Sequence, residues 1–507
     1  MTSWDRRLIP VLTAEQARAL DRTAIEAGTE SFELMRRAGD RLAHLLLDSV
    51  PELRHKAIQV VVGPGNNGGD GWVAASALAR AGCNVKVAGL PPRTDDAVKA
   101  KGLCSNELTG AVENPHVVID AILGTGASGD YRPEIRELID LVGRAPRALR
   151  VAVDLPSGLD ATTGDAPPGC PAADLTVSFG SWKRGQLFRR DLVGELACLD
   201  IGLPAPGGRV PVAPDDRWVA EVAPEPGALA TKNERRRLLI VGGGVGMAGA
   251  TILSARGAFG SGIGMVRCYV HSSSLGAVNA AVPQATAIPW PDSVASADDL
   301  RWGHAVVIGP GFGIAAARDA LMGWVAAFPG PMVVDADALT ALVGRLDEFR
   351  SARAGRITVL TPHAAEAGRL LACGTEQVRT DPFTAATDLA TKSGAVVLLK
   401  GVPSLVSDGE QTFVVPRGGP VLGVGGSGDL LSGMAGALLA LTEDALTGAV
   451  AAASVHGRAA EMATSGGPWR GLTLDDVIGS LHAVWAQRPA EPGEHVLARL
   501  PRVAPRA

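Results

Sequence analysis

The residues best suited to do chemistry in this 507-residue chain fall in four short runs. The first is GPGNNGGDG at 63–71, between the apolar run 58–62 and the apolar segment WVAASALARAG. Glycines let a backbone approach an anion closely, and the unpaired N–H groups of a helix N-terminus point at it. Asn66 and Asn67 add side-chain carbonyls, which suit a hard cation or a carboxamide, and Asp70 adds a carboxylate. The second run, VVIDAILGTGASGD, carries Asp120 and the glycines at 124 and 126; the third, VAVDLPSGLD, carries Asp154 and Ser157. An Asp in such a place can be a plain helix cap or turn former, and for Asp160 that is the expected role. Asp120 and Asp154 both end strand-like apolar runs, which favours function. The fourth run is GVGGSGDLLSGMAGALLA at 423–440. Its glycines lead into a helix expected to begin at Asp429. There, free amides stabilise transferring phosphoryl charge, and the carboxylate takes a proton from a hydroxyl. A helix cap is the plain alternative for Asp429. Just upstream, VVLLKGVPSLVSD supplies a strand, Lys400 and a hairpin able to wall an adenine site.

Alternating strands and helices must position these loops. Thr13 to Gln16 reads T-x-x-Q, a capping box opening a helix through about Ala27. A second helix starts near Ser31, with Leu34, Met35, Ala38, Leu42 and Leu45 on one face. Apolar runs at 58–62, 84–87, 117–119, 151–153 and 175–179 read as parallel strands covered on both faces. Residues 205–224 are rich in Pro and Gly and read as a linker. Alternation restarts at 238–241 and continues through 265–270, 306–308, 332–334, 357–360 and 396–399. The Pro/Arg-rich tail, 488–507, is expected to be disordered. The reading is thus an α/β protein of two domains, 1–204 and 225–487, whose ligand loops lie outside the carboxyl ends of strands. Gly244 to Gly249 reads GxGxxG, the fingerprint of a dinucleotide-binding dehydrogenase. The next strand offers Arg267 and His271 but no acid for the ribose, so that reading ranks low.

A net charge of −5 gives no support to a nucleic-acid partner, and no apolar run is long enough to span a bilayer. The N-terminus lacks the apolar core of a signal peptide. Six scattered cysteines without a CxxC pair argue against disulfides and zinc and make the cytoplasm the expected compartment.

LMRRAGDR, GPGNNGGDG, DAILGTG, DLPSGLD and SFGSWKRG stand in the order and spacing of the NAD(P)H-hydrate epimerases, which residues 10–203 resemble. The resemblance implies a Rossmann-like fold with a potassium ion held by Asn67, Asp120 and Ser157. Asn66, Asn67, Gly68, Gly69 and Asp70 would bind the hydrated dinucleotide, with Gly124, Thr125, Gly126, Ala127, Ser128, Gly129 and Asp130. Asp154 would sit at the nicotinamide as general acid/base. Lys183 matches the family's strand-end lysine without an assigned role. Residues 225–485 resemble the ribokinase-like superfamily, and within it the ADP/ATP-dependent NAD(P)H-hydrate dehydratases. The matching motifs are GMAGA, VVIGPGFG, DADAL, TPHAAE, LLKG and GGSGD. The chain departs from that pattern at 231–236 and at Gly423 and Val424. The resemblance implies phosphorylation of the hydrate's hydroxyl by ADP or ATP with magnesium, then loss of phosphate. Ala250, Gly311, His363 and Asp429 would meet the hydrate, with Asp429 catalytic; a core histidine is the alternative for His363. Lys400, Gly401, Val402, Pro403, Ser404 and Gly428 would meet the nucleotide. A homo-oligomer is expected. Two rival readings are a small-alcohol kinase with an accessory domain, and a dinucleotide-binding protein with a decayed second half.

Overall fold

The computed structural model describes residues 5–126, 129–290, 297–464, 469–489 and 491–503. The chain folds as two compact units, 1–212 with 491–507, and 213–490.

In the first unit, runs of β-branched residues become strands of one sheet. Its order is Val496–Leu500, Glu195–Leu199, Leu175–Phe179, Leu149–Val153, Val117–Ala121, Ala57–Val62, Asn84–Gly89. All neighbours are parallel except the first pair. The Thr13–Gln16 capping box forms and opens the helix Ala14–Glu26; the second helix is Ser31–Ser49. The strand order reverses between Ala57–Val62 and Val117–Ala121, which makes their carboxyl ends the switch point where ligands collect.

The second unit has the parallel order Thr286–Pro289, Met265–Val270, Arg237–Val241, Ala305–Ile308, Met332–Val334, Thr358–Leu360, Val396–Leu399. Ser404–Ser407 and Thr412–Val415 extend it as an antiparallel hairpin pair. The helix Ser427–Thr442 is buried on nearly every face, as its all-round apolar sequence requires. Close packing on the helix Ala248–Gly260 demands small residues: a Cβ at Gly433 would lie 1.8 Å from the Ser254 carbonyl oxygen.

Two expectations need correction. The stretch 205–224 is not a featureless linker. It holds a strand, Val212–Pro214, and a helix, Asp216–Val222, whose Trp218 packs on Phe413 at 5.3 Å between ring centroids. Asp216 also meets the partly buried Arg417 at 2.6 Å. Nor is the tail disordered where it is described. Val496–Leu500 pairs antiparallel with Glu195–Leu199, and Leu497 and Leu500 are buried. Composition suggested disorder because five residues carry little local signal; an open sheet edge supplies the missing partner. No described helix is long and apolar enough to cross a membrane, and all six cysteines are free.

Candidate active sites

The first site is a cavity of ≈ 590 Å³ at the switch point of the first sheet. Asn66, Asn67, Asp70, Gly124, Thr125, Gly126 and Asp154 all line it. The glycine run is shorter as a loop than expected, because the helix Asn66–Arg80 already begins at Asn66. Gly68 and Gly69 are therefore buried helical residues. A Cβ on Gly68 would meet the Gly63 carbonyl at 2.0 Å, and the Gly69 amide already donates to Gly65. Their smallness lets the helix N-terminus sit on the loop; the amides of the first turn remain directed at the cavity end. Gly129 and Asp130 are exposed and do not line the cavity, while Ala127 and Ser128 lie outside the described residues.

Asp120 and Ser157 meet directly. The Ser157 hydroxyl donates to the Asp120 carboxylate at 2.5 Å, and the Ser157 and Ile122 amides donate at 2.9 and 3.2 Å. Burial raises the Asp120 carboxyl to about 6, and these hydrogen bonds only partly oppose it. Asn67 packs against Gly124, and its amide nitrogen is buried with no protein partner. The Asp120 carboxyl and the Ser157 hydroxyl supply paired oxygens, whereas the unpartnered Asn67 atom is a nitrogen donor, so only the Asn67 carbonyl oxygen could add to a cation's ligands. Asp160 accepts from the Thr162 and Thr163 amides at 2.8 Å each, the turn role expected of it.

Asp154 ends its strand at φ 63°, a left-handed conformation unusual for a side chain with a Cβ. The Gln186 amide donates to its carbonyl at 2.5 Å, and its own amide donates to Val177 at 2.8 Å. Its carboxylate contacts the buried Lys183 ammonium, which also donates to the Ser178 hydroxyl at 2.9 Å. Lys183 thus has a clear place, beside the expected acid/base. Sequence reading missed Asp21, which lines the same cavity from the helix Ala14–Glu26. A signal was present: position 21 shares a face with the buried Ala17 and Ala24, an acid in an apolar stripe.

The second site centres on Asp429. Its helix begins at Ser427, earlier than expected, with Gly426 as N-cap at φ 92°. Asp429 is therefore not the cap but a first-turn residue. Burial, then Asp335 and Asp337, raise its carboxyl to about 6, while Lys400 pulls the other way. Lys400 donates to Asp335 at 2.8 Å and reaches Gly428, where a Cβ would stand 3.3 Å from the ammonium. Burial alone would lower the Lys400 pKa, but Asp335, Glu366 and Asp429 outweigh it and hold it raised. Asp335 opens the DADAL motif; its own signal is the apolar run Met332–Val334 ending in an acid, as at Asp120 and Asp154.

His363 is neither a core residue nor free. Its Nδ1 accepts from the Ala365 and Glu366 amides at 3.1 and 3.3 Å, capping the helix Ala364–Leu371, and its backbone bridges to Lys400. Ala250 stands against Gly311, where a Cβ would approach the Ala250 Cβ to 2.9 Å. Gly401 and Val402 are exposed in the turn after Lys400, Pro403 is buried, and Ser404 donates to the Gly401 carbonyl at 3.2 Å. The GxGxxG run makes no open dinucleotide cradle. Its Gly244 amide donates to the Gly311 carbonyl at 2.6 Å, as the preceding Gly243 amide does to Pro310 at 3.0 Å, and Arg267 lies over the Trp302 ring at 4.2 Å.

The α/β chain thus carries two candidate sites, a carboxyl-lined cavity in one unit and a lysine–aspartate cluster at a helix N-terminus in the other. Comparison with known proteins agrees. A family model described as NAD(P)H-hydrate dehydratase matches residues 238–480, and one described as YjeF-related protein N-terminus matches 31–185. The bifunctional NAD(P)H-hydrate repair enzyme Nnr of Coxiella burnetii is 34% identical, over 92% of this chain and 98% of its own. That of Escherichia coli is 32% identical, over 93% of each. The chain is also similar to the solved ADP/ATP-dependent NAD(P)H-hydrate dehydratase from Bacillus subtilis, co-crystallised with ATP/Mg2+. That match has 24% identity and a TM-score of 0.48, and covers 54% of this chain and 96% of that one. The chain belongs to the family of bifunctional NAD(P)H-hydrate repair enzymes, which join an NAD(P)H-hydrate epimerase to an NAD(P)H-hydrate dehydratase. A match over 92–93% of the chain to these repair enzymes disfavours a small-alcohol kinase with an accessory domain.

Proposed function

We propose that the two activities divide between the two sites: the epimers of the hydrate interconvert in the cavity around Asp154, and the S hydrate is dehydrated at Asp429. The observation that carries this reading is the Asp335–Lys400–Asp429 cluster at a helix N-terminus. A hydroxyl is a poor nucleophile and needs a base within reach, and the phosphoryl group it attacks needs cationic and N–H donors. Asp429 takes the hydroxyl proton as the oxygen attacks the terminal phosphorus of ADP or ATP. Lys400 and the first-turn amides at Gly428 receive the phosphoryl charge. The phosphate ester then loses phosphate from C6 and a proton from C5, which restores the ring double bond. Asp335 holds Lys400 in place.

Ala250 and Gly311 form the wall for the hydrate, with His363 at the rim. The turn Gly401, Val402, Pro403 and Ser404 faces the nucleotide. Magnesium would be held chiefly by the nucleotide's phosphates and would need few protein ligands. In the cavity, Asn66, Asp70, Gly124, Thr125 and Gly126 face the dinucleotide, with the amides of the Asn66 turn toward its pyrophosphate. Asn67, Asp120 and Ser157 would hold potassium, whose positive charge would favour the ionised form of the Asp120 carboxyl. We place the enzyme in the cytoplasm as a homo-oligomer; its six free cysteines support the compartment.

The test is a double dissociation. Asp429→Asn keeps size and removes the base, so nucleotide-dependent recovery of reduced cofactor should fall by about a hundredfold to ten-thousandfold while epimerisation continues. Asp154→Asn should do the reverse. Unchanged recovery in Asp429→Asn would overturn its role, and loss of both activities from either change would overturn the division of labour.

A further inference from the structure

The epimerase cavity holds more carboxyl groups than nearby cations neutralise. Asp21, Asp70, Asp154 and Lys183 all line it. Lys183 is committed to Asp154 and Ser178. Arg18, also in the wall, donates to the Thr125 carbonyl at 3.0 Å. Asp21 comes from a different helix than Asp70, and it is open to solvent through the cavity. A group that must meet a ligand needs that access, while the cavity walls still strip part of its hydration.

We propose that Asp21 is the second acid/base group of the epimerase, acting with Asp154 at C6 of the hydrate. This rests on reading the cavity as the hydrate's site. C6 bears a hydroxyl and is bonded to the ring nitrogen. The Asp21 carboxyl gives its proton to that hydroxyl, the C6–O bond breaks, and water leaves as the nitrogen lone pair forms a C=N bond. Water then adds to the opposite face of C6, the pair returns to nitrogen, and the Asp154 carboxylate takes the released proton. One proton is given and one recovered. The enzyme is left with Asp154 protonated and Asp21 ionised, the form that turns over the other epimer. Lys183 balances whichever carboxylate is charged.

The electrostatics fit the role. Burial, opposed by Lys183 and Arg22 and aided by Asp154, raises Asp21 to about 6. Asp70 lies well above the usual range, through burial first and then Asp154 and Asp21, with Lys183 opposing. Asp70 thus resists ionisation, deeper in the wall than Asp21, which is open to solvent and so the carboxyl placed to exchange its proton.

The test is made in the full chain, with S and R hydrates as substrates and the uncatalysed rate subtracted. Wild-type interconversion should fall above pH ~6, where Asp21 loses the proton it must donate. Asp21→Asn should lower kcat by about a hundredfold or more, change KM little and abolish that pH limb. Dehydration of the S hydrate, in the other unit, should be unchanged, and an unchanged thermal unfolding transition of the epimerase unit is the folding control. Asp21→Glu keeps a titrating carboxyl and should retain a limb; it decides the matter if Asp21→Asn fails to fold. Wild-type kcat in Asp21→Asn, or a raised KM with the pH limb intact, overturns the proposal. If Asp154→Asn is also fully active, the cavity assignment has failed instead; an impaired Asp154→Asn beside a normal Asp21→Asn sinks Asp21 alone.

Discussion

Ending the chain at Pro489 should weaken the epimerase unit and spare the dehydratase unit. The removed segment includes Val496–Leu500, the edge strand beside Glu195–Leu199. Leu497 and Leu500 are 3% and 2% exposed, so their burial is nearly complete. Each is worth about 1.5–3 kcal/mol, and the pair about 3–6, an upper estimate because an unfolded chain already buries some surface. The segment also supplies the Pro501 carbonyl to the buried Arg190 and the Arg502 side chain to Asp174. Without it, the Glu195–Leu199 strand becomes an open edge. A loss of that size is large against a total stability of about 5–15 kcal/mol. In a unit of this length it should lower Tm by about 6–24 °C. The assay is residual activity after brief heating across a temperature series, with both activities read from one sample. Epimerisation should fail first, by that interval, while dehydration follows the full-length curve. Leu500→Ala alone should cost about 2–5 kcal/mol in the same direction. Coincident inactivation curves for the shortened and full-length chains would refute the reasoning, since the strand would then contribute nothing to the unit.

The dehydratase should lose kcat/KM below pH ~6, about tenfold per unit, because a base held at about 6 must be ionised to accept a proton. The limb should vanish in Asp429→Asn. A fragment of residues 211–490 should fold and dehydrate the S hydrate. One starting at Pro224 lacks the helix Asp216–Val222 and should lose about 3–5 kcal/mol with Trp218 alone, measured by denaturant unfolding.

Much of the architecture is written locally. Strand runs such as 58–62 and 332–334 are continuous apolar stretches, the Thr13–Gln16 capping box names its own helix, and glycine runs mark where backbones crowd. Such signals depend on residues within a few positions of one another, so they survive without tertiary context. The same holds for Asp120, Asp154 and Asp429, each an acid where a strand ends or a helix begins. Helix starts are less legible: Asn66 and Ser427 are already helical, because the glycines serve close packing as well as a loop.

What the tertiary structure decided is partnership across the sequence. Lys183 finds Asp154, Lys400 finds Asp335, and Asp21 joins Asp70 and Asp154 in one cavity. Local pattern is blind to such pairs, because charge interactions follow distance in space. The residues 205–224 and 491–503 teach the same point for the backbone. Their composition resembles solvated chain, yet a sheet edge, the Phe413 ring and Arg417 give them partners that order them. The sequence by itself determined which segments could be strands, helices and acid-bearing loops. Only folding decided which acids share a cavity and where the chain's last strand is laid, because burial and pairing energy exist only once distant segments meet.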